Sequence, residues 1–297
     1  MEFVQMRTVP GGSFLMGSSR FYADEGPVHP RQVESFEVDV HPVTNVEFAA
    51  FVEATGHVTV AERDLDPALY PDVAPADLLP GSLVFVGTPG PVPLDNWRAW
   101  WDWAPGASWR RPTGPGSDLE GKDDHPVVQV ALADAEAYAA WAGKSLPTEA
   151  EWEYASHGGL DVGPYAWGEE PRPEGRLMAN TWQGRFPYQN TGALGWVGTS
   201  PVGTFPANGY GLLDMIGNVW EWTTTDYAAT HVVHSCCSPT PTSDPTTIPR
   251  KVLKGGSHLC APEYCLRYRP AARSPQAVDT STTHIGFRCV RRPATRA

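Results

Sequence analysis

The sequence predicts an α+β protein with little regular secondary structure, in which short helices and strands are joined by long irregular segments. The chain has 297 residues, of which 29 are glycine and 30 are proline, and such frequent turn formers disfavour long helices. Only three segments carry helix start and stop signals, and the apolar runs that suggest strands are short. We find no internal repeat and no low-complexity linker, so we predict a single catalytic domain over residues 1–297.

The three helices are predicted from their end signals. A threonine followed three residues later by a glutamate forms a capping box, and a glycine beyond the last turn suits left-handed backbone. Thr44 with Glu47 begins a helix that runs to Gly56, a second helix covers residues 133–142 and stops at Gly143, and Thr148 with Glu151 begins a third that ends at Gly158.

Strands are predicted where apolar residues alternate with polar ones or form short runs. The predicted strands are Val33–Val40, Leu83–Val86, Val127–Val130, Lys251–Lys254 and Phe287–Val290. Long irregular stretches cover residues 57–82, 87–124, 159–210 and 224–250. Bound Ca²⁺ is one way to satisfy the backbone groups of such loops.

The charge excludes some classes of partner. The net charge is −12 and the isoelectric point is near 5.1, so the chain repels phosphate backbones and anionic lipid surfaces. We therefore expect no nucleic acid and no membrane among its partners, and basic substrates are favoured. No run of about 18 apolar residues occurs, and the first seven residues predict no secretory signal.

The cysteine count indicates thiols of a reducing compartment. Five cysteines, at positions 236, 237, 260, 265 and 289, are an odd number in a chain too large to need disulfide staples. We therefore expect a cytoplasmic protein in which some thiols have a chemical function and not a structural one.

The most informative segment is Gly255–Arg269. It contains two cysteines five residues apart, Cys260 and Cys265, with Pro262 turning the chain between them. They are either two buried small residues, one disulfide, or a two-thiolate site. Soft sulfur ligands in low number favour Cu(I), whereas Zn²⁺ requires four ligands and no CxxC pair completes such a set. Nearby arginines either lower the thiol pKa values or pair with the acidic excess.

Motifs along nearly the whole chain resemble those of formylglycine-generating enzymes, also called sulfatase-modifying factors. The matching segments are Val9–Gly17, His125–Val127, Leu146–Ala155, Asn208–Leu212, Gly217–Trp222, Lys254–Ser257 and Gly286–Cys289. Most of these mark only a wider C-type-lectin-like fold, and fold alone implies no function. The Cys260/Cys265 pair in GGSxxCxxxYC, followed by RYRxAAR, is more specific and resembles the bacterial, aerobic, copper-dependent branch.

The resemblance implies a reaction. Such enzymes oxidise a cysteine in the Cys-x-Pro-x-Arg motif of an unfolded or nascent sulfatase to Cα-formylglycine, with O₂ and a Cu(I) ion held by two thiolates. By this motif Cys260 and Cys265 are the copper ligands, and the substrate cysteine becomes a third sulfur ligand.

The resemblance also implies residues around the copper. Ser257 and Tyr264 would hydrogen-bond substrate or oxygen, unless they are a turn hydroxyl and a core ring. Trp100, Trp101 and Trp220 resemble aromatics of the substrate cleft, with packing as the alternative. The remaining expected substrate contacts are Arg273, from the RYRxAAR motif, and Asp66, whose carboxylate would pair with the substrate arginine or else lie in a solvated acidic loop.

One or two structural Ca²⁺ sites are implied in the same way. One would use the side chains of Asp214 and Glu221 with the carbonyl groups of Gly217 and Val219. The other would use Asn180 with the carbonyl groups of Thr181 and Trp196, although Leu194 stands where an acidic ligand is usual.

Structural disulfides of secretory relatives are not expected here. Their positions correspond to Ala139, Ser156 and Pro270, which leaves Cys289 as a predicted buried free thiol. We assign no role to Cys236 and Cys237, and we expect His125 to be structural.

Two other functions compete with the oxidase. A non-catalytic, lectin-like peptide-binding module of the same fold has no need of the cysteine pair. An iron-dependent C–S-bond-forming oxygenase would carry an additional N-terminal helical domain with histidine ligands, for which we expect no room in this chain.

Overall fold

A computed structural model of the chain describes residues 4–74, 77–160, 163–231 and 248–293. Within them, short helices and strands alternate with long irregular segments, which confirms the predicted α+β class. The helices are α1 Asn45–Thr55, α2 Leu132–Trp141 and α3 Glu149–Ser156. The strands are β1 Met6–Val9, β2 Gly12–Met16, β3 His29–Val33, β4 Phe36–Asp39, β5 Gly81–Phe85, β6 Trp101–Pro105, β7 Gly184–Arg185, β8 Gln189–Asn190, β9 Trp220–Asp226, β10 Arg250–Lys254, β11 Arg273–Ala277, β12 Ile285–Gly286 and β13 Val290–Arg291.

The helix signals act as predicted. In α1 the Glu47 carboxylate accepts a hydrogen bond from the Thr44 amide at 2.7 Å, and Gly56 ends the helix with φ of 68°. The amide at the start of α3 is satisfied in the same way, because Glu151 accepts from the Thr148 amide at 2.7 Å. Local side-chain chemistry is enough to fix these helix ends.

A four-stranded sheet in the order β11-β10-β9-β12 forms the centre of the structure. β12 runs parallel to β9, and the other pairings are antiparallel. A second sheet, β1-β4-β13, joins both ends of the described chain, and three two-stranded hairpins, β2-β3, β5-β6 and β7-β8, lie around them. The described residues contain no helix long and apolar enough to cross a membrane.

Three strand predictions need correction. Val33–Val40 is not continuous, because β3 ends at Val33 and β4 begins at Phe36. The run Val127–Val130 is buried but irregular, since Gln129 has a left-handed backbone with φ of 61°. In the run Phe287–Val290 only Val290 belongs to a strand, β13, because residues 287–289 form an irregular link after β12 that contains the fully buried guanidinium of Arg288. Burial alone explains these apolar runs.

The main core lies between the central sheet and the helices. Trp222 of β9 and Trp152 of α3 are both buried, and the Trp152 indole nitrogen donates to the Glu221 carboxylate at 2.7 Å. A smaller apolar cluster, containing Trp100, Trp182 and Phe186, packs beside Leu259 and Ala261. The segment after β10 therefore lies between the two cores.

Candidate active site

Two glycines shape the turn that follows β10. Gly255 and Gly256 have φ values of 98° and 74°. A Cβ atom on Gly255 would lie 2.9 Å from the Met215 carbonyl oxygen, and one on Gly256 would lie 2.9 Å from the Tyr268 Cα atom. Both the left-handed backbone and the close approach therefore require glycine. This turn places the following segment, residues 257–265, against the smaller apolar cluster.

The turn brings the two predicted cysteines together. The Cys260 amide donates to the Ser257 carbonyl at 2.9 Å, and the Cys265 amide donates to the Ala261 carbonyl at 2.6 Å. The two sulfur atoms lie 2.9 Å apart, a hydrogen-bonding distance that exceeds the ~2.05 Å of a disulfide bond. Both residues are free cysteines, so the structure has the thiol pair and not the disulfide.

The two thiols differ in acidity. Burial raises the pKa of Cys260 well above its usual value. The hydrogen bond from Cys260 lowers the pKa of Cys265, and the positive charge of Arg267 lowers it further. The pair therefore favours a thiolate at Cys265 that accepts a hydrogen bond from the Cys260 thiol, and the Ser257 amide adds a hydrogen bond to Cys260 Sγ at 3.4 Å.

The pair lies in a cleft of about 270 Å³ with largely aromatic walls. Tyr264 stacks on Phe186 with ring centroids 4.6 Å apart, and Trp100 meets Tyr264 edge-on at 5.2 Å. The sequence-predicted residues that line this cleft are Cys260, Cys265, Ser257, Tyr264, Trp100, Trp101 and Trp220. Seven of the nine predicted catalytic and substrate-binding residues therefore share one cavity.

The cleft also contains residues that the sequence did not single out as site residues. They are Tyr22, Phe186, Leu259, Arg267, Ser274 and His284. The Tyr22 hydroxyl accepts a hydrogen bond from the Leu266 amide at 3.0 Å, and the Arg267 guanidinium lies 4.0 Å from the centre of the Tyr22 ring. Only Arg267 carried a sequence signal, since it lies in the RYR motif. Nothing in the sequence connects position 22 to position 266.

His284 contributes a neutral ring to the same wall. Its centroid lies 4.8 Å from that of Trp101, and its Nδ1 atom is 2.7 Å from the Thr282 hydroxyl. Burial lowers the pKa of His284 to about 3, so the imidazole is uncharged at neutral pH.

Two predicted substrate contacts lie elsewhere. Arg273 does not line the cleft, because its buried guanidinium forms an ion pair with Glu149 at 2.9 Å. It also donates to the carbonyl groups of Asp24 and Ala228, and so holds three segments together. Asp66 is exposed outside the cleft lining and caps a short turn by accepting from the Ala68 amide at 2.9 Å.

The side chains predicted to bind calcium include two buried oxygen atoms without partners among the described residues. These are Asn180 Oδ1 and Asp214 Oδ1. Burial raises the pKa of Asp214 to about 6, although the Gly203 amide donates to its Oδ2 atom at 2.7 Å. An unpaired buried oxygen is costly, and a bound cation would satisfy it.

The other predicted calcium ligands are partly engaged. Glu221 Oε2 accepts from both Trp152 and Arg288, whereas Oε1 accepts from Arg288 and keeps one free lone pair. The Thr181 carbonyl accepts from the Gln183 amide side chain, and the Trp196 carbonyl accepts from the Ala193 amide. Leu194 is 61% exposed and provides no oxygen ligand from its side chain.

The remaining cysteine and histidine predictions have mixed outcomes. Cys289 is a fully buried free thiol, as predicted. His125 is buried, with its Nδ1 atom 2.9 Å from the Thr199 hydroxyl, which agrees with a structural role. Cys236 and Cys237 lie outside the described residues. The described residues contain no cluster of three or more His, Cys, Asp or Glu side chains suited to a metal.

Comparison with known proteins identifies the family. Residues 2–293 match the model of the sulfatase-modifying factor enzyme 1-like domain. This chain belongs to that family. It is 64% identical to a formylglycine-generating enzyme of Mycobacterium tuberculosis, over 96% of this chain and 97% of the relative. It is 48% identical to one of Streptomyces coelicolor, over 95% and 87% of the two chains.

A solved structure supports the family fold. PvdO from Pseudomonas aeruginosa matches with a TM-score of 0.62 and 26% sequence identity, over 98% of this chain and 95% of that one. The fold with few helices and many loops therefore belongs to this sulfatase-modifying factor family.

Proposed function

We propose that this chain is a copper-dependent oxidase that converts the cysteine of a Cys-x-Pro-x-Arg motif to Cα-formylglycine with O₂. The substrate is an unfolded or nascent sulfatase polypeptide. Membership of the family and 64% identity to a formylglycine-generating enzyme support the conversion itself. The observation that carries the proposal is the free thiol pair, 2.9 Å apart, in an aromatic cleft.

The donor set of the cleft fits Cu(I). Its two sulfur atoms are soft ligands, and the residues that line it include no carboxylate, the donor that harder cations prefer. Cys260 and Cys265 would hold the ion. When bound, copper would supply a thiophilic, redox-active centre for the substrate sulfur and for O₂.

The residues of the chain prepare the cleft for this reaction. The lowered pKa of Cys265 provides one anionic sulfur without a separate base. Burial raises the pKa of Tyr264 to about 12, so its phenol stays protonated and is available as a hydrogen-bond donor. The Ser257 hydroxyl accepts from the Leu259 amide at 3.2 Å, which leaves its own hydrogen free for a ligand. The aromatic walls provide apolar surfaces against which an extended peptide would pack.

The net reaction is a two-electron oxidation of the substrate side chain. A CH₂SH group and one water molecule give CHO, H₂S, two protons and two electrons. Dioxygen accepts the two electrons and two protons and forms hydrogen peroxide. The cleft therefore has to admit a thiol, a water molecule and O₂ in turn.

Calcium ions and a reducing compartment complete the proposal. The unpaired oxygen atoms of Asn180 and Asp214 support one ion each, with the neighbouring carbonyl groups and Glu221 Oε1 as further ligands. The free, buried Cys289 supports a cytoplasmic location, where thiols stay reduced. Asp66 stays the proposed partner of the substrate arginine, on the exposed loop outside the cleft.

Mass spectrometry distinguishes the oxidase from a non-catalytic peptide-binding module. A Cys-x-Pro-x-Arg peptide is incubated with the protein, Cu(I) and air. We expect the peptide to lose one sulfur and two hydrogens and to gain one oxygen, and the product to react with a hydrazide. The Cys260→Ser and Cys289→Ala variants are the matched pair, of which only the second should convert the peptide. Peptide that binds but keeps its thiol with copper and O₂ present would support the binding module.

A further inference from the structure

We propose that the substrate polypeptide leaves the cleft as an additional strand on the outer edge of β6, with alternate apolar side chains packed on Trp101 and Trp103. The inference rests on the proposed function, because it assigns a binding surface to the segment that flanks the target cysteine.

The backbone of β6 has an unpaired edge. β5 and β6 pair with Phe85 opposite Trp101 and Leu83 opposite Trp103. The hydrogen bond from the Val86 amide to the Trp100 carbonyl, at 2.9 Å, shows that the even-numbered residues of β6 bond to β5. In an antiparallel pair the intervening residues point their N–H and C=O groups away from the partner. The backbone groups of Trp101 and Trp103 therefore face the outer edge.

No other described segment takes these groups. Among residues 4–74, 77–160, 163–231 and 248–293, no hydrogen bond reaches the backbone N–H or C=O of Trp101 or Trp103. Edge strands of this kind are usually protected, because they pair readily with another extended chain. Here the edge is adjacent to the cleft, since Trp101 lines the same cavity as the thiol pair.

The side chains of the same residues form an apolar face. Directly opposed residues lie on one face of a sheet, so Trp101 and Phe85 are followed along the hairpin by Trp103 and Leu83. Trp103 is 40% exposed, and its indole nitrogen donates to the Leu79 carbonyl at 3.3 Å, which fixes the ring. Leu79 is itself 49% exposed. The face thus continues from the buried cleft to the surface.

The spacing of this face matches an extended peptide. Trp101 and Trp103 are two residues apart on a strand, a distance of roughly 6.5–7 Å. A peptide paired with β6 would present every second side chain to them at the same interval. Such a partner must be unfolded, since a folded substrate has no free strand to pair. The surface therefore selects an extended chain with alternating apolar residues beside the modified cysteine.

The experiment on the peptide measures binding separately from turnover. Peptides carry Ser in place of the target Cys and a four-residue extension, either apolar-alternating or polar, at one end or the other. Fluorescence polarisation should show about tenfold tighter binding for the apolar extension at one end only. N-methylation of the extension should weaken binding about fivefold to tenfold at every second amide, because only those amides point toward β6. Equal affinity for apolar and polar extensions would overturn the proposal, as would an N-methylation effect without this alternation.

Two variants at Trp103 separate the contribution of the indole side chain from that of the backbone hydrogen bond. Trp103→Ala removes the indole, and Trp103→Pro also removes the outward N–H while leaving the bonds to β5 intact. We expect the affinity for the extended peptide to fall with Ala and further with Pro. Asp102→Ala, on the opposite face, should change nothing. Conversion of the unextended Cys peptide tests the proposed function alone. Its persistence in Trp103→Ala confirms that the variant is folded, whereas an equal loss for both peptides would count against the added strand.

Discussion

The cleft thiols and the core thiol differ in their partners more than in their burial. Cys260 and Cys289 are about equally buried, and burial raises the pKa of each well above its usual value. Cys265 differs, because a thiol donor and a guanidinium lower its pKa. Burial alone therefore disfavours the reactive thiolate, whereas a second thiol and an arginine favour it.

The buried thiol of Cys289 in the core shows how acidity changes when a second thiol and an arginine do not lower the pKa. The Cys289 amide is satisfied by Asp39 at 2.9 Å, and Asp39 pairs with Lys144 at 2.5 Å, but the nearby carboxylate raises the pKa of the Cys289 thiol. The charge in this part of the core thus disfavours a thiolate, whereas the charge at the cleft favours one. The difference between the two regions predicts different effects on turnover, stability and thiol reactivity.

The largest expected effect is on turnover by cysteine variants. Cys260→Ser and Cys265→Ser should each lower kcat/KM by more than about a hundredfold, because each removes a sulfur atom proposed to bind copper directly. Loss of a residue that only hydrogen-bonds a metal ligand typically costs about tenfold to a hundredfold. Cys289→Ala should keep most of the turnover and lower Tm by a few degrees, since it leaves only a small cavity. Peptide conversion followed by mass spectrometry measures the first effect, and calorimetry measures the second. Full activity in either cleft variant would remove the distinction between the two regions.

The second effect concerns Asp214, whose buried Oδ1 atom has no hydrogen-bond partner among the described residues. Calcium at a hundredfold excess over Kd should stabilise the chain by about 2.7 kcal/mol per site, or roughly 4 °C for 297 residues. Asp214→Asn should remove most of this response, whereas Asp66→Asn, at an exposed carboxylate, should keep it. Thermal unfolding with calcium and with strong chelator measures both.

Without calcium, the pH dependence of the same variant provides a second readout. Burial raises the pKa of Asp214 to about 6, above its unfolded value, so its contribution to stability is lost as pH rises toward 6. Asp214→Asn should abolish that part of the dependence. A Tm that does not change when chelator removes all calcium, as verified by metal analysis, would contradict the calcium site.

A smaller effect is expected at the neutral His284. Burial lowers its pKa to about 3, so the unfolded chain binds a proton between pH 6.5 and 3 that the folded chain does not. Stability is therefore lost as pH falls through this range, by about 1–2 kcal/mol at pH 5 for this residue. Urea unfolding at pH 7.5 and pH 5 should show that His284→Gln reduces the loss. An unchanged difference between the two pH values would assign the acid sensitivity to other groups.

The smallest effect is a displacement of the pH at which Cys265 reacts. In metal-free protein, Arg267→Gln removes the cation that lowers the pKa of Cys265, so alkylation should begin at higher pH. Arg291→Gln, at an exposed arginine, is the control and should leave the profile unchanged. Peptide mapping after iodoacetamide treatment identifies the modified residue, and Cys289 should remain unmodified in folded protein. An unshifted profile would contradict a role for the Arg267 charge and would assign the lowered pKa to the hydrogen bond from Cys260 and the remaining neighbours.

Local signals in the sequence predicted a large part of the fold and the centre of the site. The capping boxes at Thr44 and Thr148 fixed helix starts because donor and acceptor lie within four residues. The thiol pair was predictable for the same reason, since five residues and one turn separate its members. The strand predicted at Val127–Val130 was wrong because a short apolar run reports burial and cannot show whether a neighbouring strand exists.

Residues whose role depends on distant partners could not be predicted. Tyr22 reaches the cleft through a contact with a residue 244 positions away, and no local pattern marks it. Arg273 was assigned to substrate from its motif, although its guanidinium is neutralised by Glu149, 124 positions away. Ion pairs between residues so far apart in the chain depend on tertiary packing, which cannot be inferred from a local sequence pattern.

These long-range pairs have a consequence for biosynthesis. Asp24 bonds to Arg267 and Glu25 to Arg269, across 243 and 244 residues, and β1 and β13 share strand β4. A polypeptide emerging from the ribosome therefore makes its first twenty-five residues long before the arginines that will hold them. Contacts so distant in the chain form late. An enzyme proposed to act on unfinished proteins thus has no working site of its own until its residues 267–269 have been synthesised.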